Sequence, residues 1–117
     1  MKQFEVLFYE KENGECPVKH FMAGLDMNMH AKFVGLLGVL GEKGNALREP
    51  YSKYIGDGIF ELCCKVGNNI TRALYFFYYG GKIVVTNGFV KKTQKTPRGE
   101  IKLAKKRRTD YIRRMEG

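Results

Sequence analysis

The chain has no tryptophan, two histidines, three prolines and three cysteines among 117 residues. Each scarcity excludes something. Three thiols are an awkward count for a disulfide framework, and neither a C-x-x-C spacing nor a nearby His supports zinc. Cys63 and Cys64 are neighbours inside a predicted strand, where their side chains point to opposite faces, so they should not bridge each other. Structural thiols of a reducing cytosol are expected. His20 and His30 fall on early predicted helices and read as surface or packing residues rather than catalysts. No apolar run approaches the ~20 residues a membrane span requires. The opening "MKQFEVLFYE" alternates like a strand and carries no signal-peptide core, so a cytoplasmic protein is expected. There is no P-loop, no dinucleotide glycine fingerprint and no paired-carboxylate motif for Mg²⁺. No cofactor is therefore expected, and any cleavage of nucleic acid would proceed without metal.

What is present is a packable chain with a lopsided charge. Hydrophobic residues make up 44% and aromatics 13% of the sequence, which suits one globular domain over residues 1–117. The net charge is +9, yet residues 91–117 hold 11 Lys/Arg against 3 Asp/Glu, while residues 1–90 hold 10 against 9. Nearly all the excess sits in the last quarter. Such asymmetry suits a polyanionic partner, either nucleic acid or an acidic protein segment.

The periodicity predicts a strand over residues 2–11, with Phe4, Val6 and Phe8 on one face. Pro17 opens a short helix bearing Val18, Phe21, Met22 and Leu25. Asp26 caps a second helix, whose stripe is Met29, Phe33, Leu36, Leu37 and Leu40. Gly35, Gly38 and Gly41 lie off that stripe without an evident reason. A loop is expected over "EKGNALREPYSKYIGDG". Three strands follow, "IFELCCKV", "ITRALYFFYY" and "KIVVTNGFV", joined as antiparallel hairpins. Thr96 and Pro97 form a cap and first-turn pair for a helix reaching about Met115. The expected fold class is α+β: an N-terminal strand, two helices, a three-stranded antiparallel meander and a C-terminal helix. Both faces of the middle strand are largely apolar, so either helices cover both or a partner completes one.

Arg72 interrupts that strand on the face of Leu74 and Phe76. A guanidinium beside a core must pair or line a cleft, because it stays charged. Glu61 on the neighbouring strand offers an ion pair; a phosphate offers the other use. Lys91, Lys92 and Lys95 leave the next strand where Arg72 can approach them, and Lys53 can join. In the last helix Arg98, Lys102, Lys105, Lys106 and Arg113 fall within a sector of about 100°. Ile101, Ala104, Tyr111, Ile112 and Met115 define a separate apolar side, and Arg108 lies within it, where it must snorkel or serve a site.

Three segments then point to a family. "FEL", "R-x-L-Y-F" and "GFVKKTQKTP-x-x-EI-x-x-A" resemble the RelE/HigB-like toxins of type II toxin–antitoxin modules, in their phage-derived branch of the RelE/ParE superfamily. The likeness covers nearly the whole chain. It implies a RelE-like small domain and a metal-independent mRNA endoribonuclease (an mRNA interferase, hence a hydrolase) acting on the ribosome. There a ribose 2′-OH attacks the adjacent phosphate, which requires cations around the phosphorane, a base and an acid. The resemblance assigns Arg72 to transition-state charge and Lys91, Lys92 and Lys95 to the basic cluster, with Lys92 and Lys95 favoured as base. Gln94 would orient phosphate or base, and Tyr111 is an outside candidate for the acid. A cognate antitoxin of helix-turn-helix type is implied as partner, with no membrane. The family commonly reads "ELR" where this chain has Glu61-Leu62-Cys63, so attenuation at Cys63 is a further expectation. Two alternatives stand beside this one: a ParE-type gyrase inhibitor, and a non-enzymatic basic module that binds RNA or protein.

Overall fold

The computed structural model describes residues 3–92 and 94–117. Lys2, in the predicted first strand, and Thr93, in the lysine motif, lie outside the described residues. The order of elements is β1 (Glu5–Phe8), α1 (Pro17–Ala23), α2 (Met27–Lys43), β2 (Ser52–Gly56), β3 (Ile59–Val66), β4 (Asn69–Tyr78), β5 (Lys82–Val90) and α3 (Arg98–Glu116). The strands form one mixed sheet in the order β1-β5-β4-β3-β2. β2 to β5 are antiparallel neighbours in sequence order, and β1 returns beside β5 in parallel.

Local chemistry explains most boundaries. Pro17 occupies the first turn of α1, where its missing N–H costs nothing. The Asp26 carboxylate accepts the Met29 N–H at 3.0 Å and so starts α2. Along α2, Met29, Phe33, Leu37 and Leu40 are buried, as the stripe requires. Gly41 is buried as well, and its carbonyl accepts the Phe4 N–H at 2.9 Å. Nothing in the structure explains Gly35 and Gly38, whose Cβ positions would be open.

Helices cover both faces of the sheet. α1 and α2 pack on the side of Leu62, Ala73, Tyr75, Ile83 and Val85. On the other side α3 packs through Ile101, Ala104 and Tyr111 against Ile59, Leu74, Phe76 and Val84. The doubly apolar middle strand is thus a central strand buried between two helical layers.

Three expectations need correction. The expected loop before the meander contains β2, so the antiparallel run has four strands rather than three. "SKYIG" is short, with only Lys53 and Tyr54 exposed and Ser52 buried, and its pairing with β3 shifts register between Tyr54 and Gly56. Its anchor is a hydrogen bond between the Ser52 and Tyr75 hydroxyls, a contact across 23 residues that carries no periodic signal. The first strand is shorter than expected, because the chain leaves the sheet at Tyr9 and turns through Lys11–Glu15. Thr96 does not cap α3: Pro97 holds the N-cap position without a side-chain bond, and the Thr96 hydroxyl is used elsewhere.

The end of α2 makes one packing demand explicit. Gly44 has φ +53°, and a Cβ there would lie 2.1 Å from the Phe4 ring. Gly44→Ala is expected to lower stability by about 2 kcal/mol or more, through strain and overpacking together. A urea unfolding midpoint measured on both chains checks this.

Candidate functional site

The site grows from the register of the sheet. Cys63 stands opposite Arg72, and Arg72 opposite Phe89, while Lys53 stands opposite Glu61. Strand alternation therefore sets Lys53, Glu61, Cys63 and Arg72 on the α3 face. α3 starts over Asn87, whose side-chain amide donates to the Glu100 carboxylate at 2.8 Å. Arg72 and Lys91 lie beyond that start, so the end of the sheet face is left for a charged cluster rather than for the helix.

Glu61 is the centre of that cluster. It is only 1% exposed, and the Arg72 side chain 12%. One carboxylate oxygen, Oε1, accepts from the Arg72 guanidinium, and Oε2 accepts from the Thr96 hydroxyl at 2.5 Å. A carboxylate taken out of water needs such donors, since an unpaired buried charge is strongly destabilising. The Arg72 Nε–H is buried and has no partner among the described residues. Lys91 is half-buried beside them, and its backbone N–H donates to the Ile70 carbonyl at 2.9 Å. Burial, then the charge of Arg72, pushes the Lys91 ammonium below its ordinary value; Glu61 pulls the other way and Lys53 adds to the depression.

The remaining sequence candidates divide in two. Lys92, Gln94 and Lys95 are exposed on the segment that leaves β5, and Lys53 is exposed on β2. Arg98, Lys102 and Lys106 are exposed on α3. The other cations of α3 hold the fold together. Lys105 donates to the Asp57 carboxylate at 2.7 Å, and Arg108 donates to the Asp57 carbonyl, so both secure the β2–β3 turn. Arg113 pairs with Asp110 at 2.5 Å. Tyr111 is not brought to the cluster: its ring packs edge-on against Phe76 and Tyr78. Phe76 is four residues along β4 from Arg72, or about 13 Å. Cys63 is half-buried beside Arg72, and burial raises the Cys64 thiol on the opposite face.

Two features escaped the sequence reading. One is Thr96 as a partner of Glu61. The other is a polar knot at the far end of α3, where the Tyr9 hydroxyl donates to Asp110 at 2.6 Å. Arg114 also pairs with Asp110 at 2.8 Å, and Arg107 and Arg114 both lie over the Tyr9 ring. Only the separation of 101 residues between Tyr9 and Asp110 hid it. Among the described residues no group of three His, Cys, Asp or Glu is placed to hold a metal ion. Nor is any helix there long and apolar enough to cross a membrane.

A cation cluster thus stands at the uncovered end of a small α+β sheet, built on one buried carboxylate. The chain belongs to the family described as phage derived protein Gp49-like (DUF891), which matches residues 20–109 and so spans every residue of the cluster. That family is phage-derived and associated with toxin–antitoxin systems, consistent with a toxin role and an antitoxin partner. No curated protein matches the sequence.

The polar knot makes a pH prediction. The Tyr9 hydroxyl, with Arg113 and Arg114, holds the Asp110 carboxyl below its usual range. A depressed carboxylate stabilises the fold above its unfolded pKa of ~3.9 and loses that contribution as pH falls through the folded value. Asp110→Asn is expected to be less stable than the parent at pH 7, with the gap closing below about pH 4. Thermal midpoints across that range test it.

Proposed function

We propose that the chain is the toxin of a type II toxin–antitoxin module and a metal-independent endoribonuclease of RelE/HigB type, acting on ribosome-bound mRNA. The observation that carries this reading is the Arg72 guanidinium, held by Glu61 yet left with a buried Nε–H that has no partner among the described residues. A buried donor without an acceptor costs about 1–3 kcal/mol, and a phosphate oxygen would satisfy it. In this reading Arg72 carries charge in the transition state, where a positioned cation is most effective. Lys91 accepts the 2′-OH proton, because its depressed ammonium can release its own. The 2′-oxygen bonds to phosphorus as the P–O5′ bond breaks, and the departing 5′-oxygen takes its proton from water. Lys92, Lys95, Gln94 and Lys53 hold the flanking backbone, and Arg98, Lys102 and Lys106 extend the basic track along α3. The antitoxin, of helix-turn-helix type, would restrain the toxin by masking this cluster. RNA binding should weaken steeply with salt, as counterion release requires.

One observation favours a second reading, a binding module without catalysis. The Arg72–Glu61 pair is what a purely structural arginine would make. Arg72→Lys separates the two, since it keeps a cation beside Glu61 while removing the planar fork. A nuclease should lose about 10²–10³-fold in cleavage, whereas a binding module should keep most of its RNA affinity. Mapping of RNA 5′ ends after brief induction in bacteria reads the difference. New 5′-hydroxyl ends within coding sequences, lost with Arg72→Lys, are the expected result. Their absence with folded protein would overturn the nuclease reading, and DNA damage instead would point to a gyrase inhibitor.

Two further outcomes follow from the same cluster. Cleavage should rise with pH towards a Lys91 value below the ordinary 10.5, since the base must be unprotonated. Lys91→Met should abolish that rise in a pH–rate profile. Cys63→Arg would set a second guanidinium beside Arg72 and is expected to increase cleavage, by up to ~10²-fold. An unchanged or lower rate would remove attenuation at Cys63 from the proposal.

A further inference from the structure

Thr96 stands where a helix cap is expected, yet its hydroxyl reaches back 35 residues to Glu61. The segment between β5 and α3 is fastened at its start by the Lys91 N–H on the Ile70 carbonyl. Its far end runs into α3 through Pro97, whose carbonyl accepts from Glu100 and Ile101, contacts internal to the helix. The Thr96 hydroxyl is thus a side-chain bond that ties this end to the sheet. It does so on the carboxylate that also orients Arg72.

We propose that Thr96 is a positioning residue: by donating to Glu61 Oε2 it latches the segment bearing Lys92, Gln94 and Lys95 over Arg72. The catalytic consequence rests on the ribonuclease reading above, whereas the latch itself does not. A hydroxyl is the donor suited to this place. It satisfies a carboxylate oxygen that is almost wholly buried, yet adds no charge. A Lys or Arg at this position would give Glu61 a second cation and weaken its hold on Arg72. A Val would take this donor away from Oε2 and loosen the segment's far end. One carboxylate therefore couples two parts of the site, the guanidinium on β4 and the cations after β5.

The test uses the full chain with Thr96→Val and Thr96→Ser. Limited trypsin digestion under native conditions reads the latch through cleavage after Lys92, with cleavage after Lys65, on β3, as control for global opening. Thr96→Val should be cut after Lys92 about tenfold faster than the parent, the factor of one lost hydrogen bond to a charged group. Cleavage after Lys65 should be unchanged, and Thr96→Ser should behave like the parent. With an RNA oligonucleotide, Thr96→Val should lower kcat about tenfold with KM little altered, and Thr96→Ser should restore it. Equal trypsin rates after Lys92 in the parent and Thr96→Val would overturn the latch. Faster trypsin cleavage with unchanged kcat would overturn the positioning role. If the parent chain cuts no RNA, the ribonuclease reading fails and the trypsin ratio decides the latch by itself.

Discussion

The Glu61 carboxylate is removed from water, and much of the site follows from that one constraint. A buried carboxylate must be met by donors, and here the two come from different parts of the chain, a guanidinium on β4 and a hydroxyl just before α3. Both donors are thereby oriented. Arg72 cannot swing to solvent without abandoning a charge that is 1% exposed. At the start of the segment after β5, Lys91 is held near a cation that would otherwise repel it. Burial, and then the charge of Arg72, lowers the Lys91 ammonium. An element that looks like a structural ion pair and a site that can grip phosphate are thus one arrangement.

α3 distributes its cations between architecture and surface. Arg107 donates to the Thr86 carbonyl and lies over Tyr9, and Arg114 reaches the Glu10 carbonyl. Lys105 and Arg108 secure the turn at Asp57. Arg98, Lys102 and Lys106 stay exposed along α3, and Lys106 borders Tyr9, Lys11 and Glu12 on the β1 side of the sheet. The charge excess in the last quarter of the chain is therefore only partly an advertisement for a polyanion. Part of it holds an apolar helix face against the sheet by satisfying backbone carbonyls, a use that composition alone cannot reveal.

Much of the fold was legible because it depends on local signals. The α2 stripe, the Asp26 cap, Pro17 at the start of α1 and the three long strands all follow from spacing within a few residues. β2 was missed because an edge strand of five residues, whose burial does not alternate, leaves no period to read. Thr96 was misplaced for a related reason. A threonine before a proline and a helix meets the capping pattern, but a buried carboxylate outcompeted the local backbone for its hydroxyl. At the site, the Arg72–Glu61 pairing was visible as a possibility, since adjacent strands bring neighbouring positions together. Its join to Thr96 was not.

The sequence by itself determined the class of fold, the side of each strand and the concentration of positive charge near the C-terminus, because periodicity and composition are properties of neighbours. Tertiary structure decided which cations are used up in holding the fold and which remain for a partner. It also decided which lysine is pressed against Arg72, and what serves the second oxygen of Glu61. Those choices depend on where distant segments meet and how much water is excluded there. Charge pairing and desolvation act through space, so residues 35 or 101 positions apart can settle each other's chemistry without leaving any mark in the spacing of the chain.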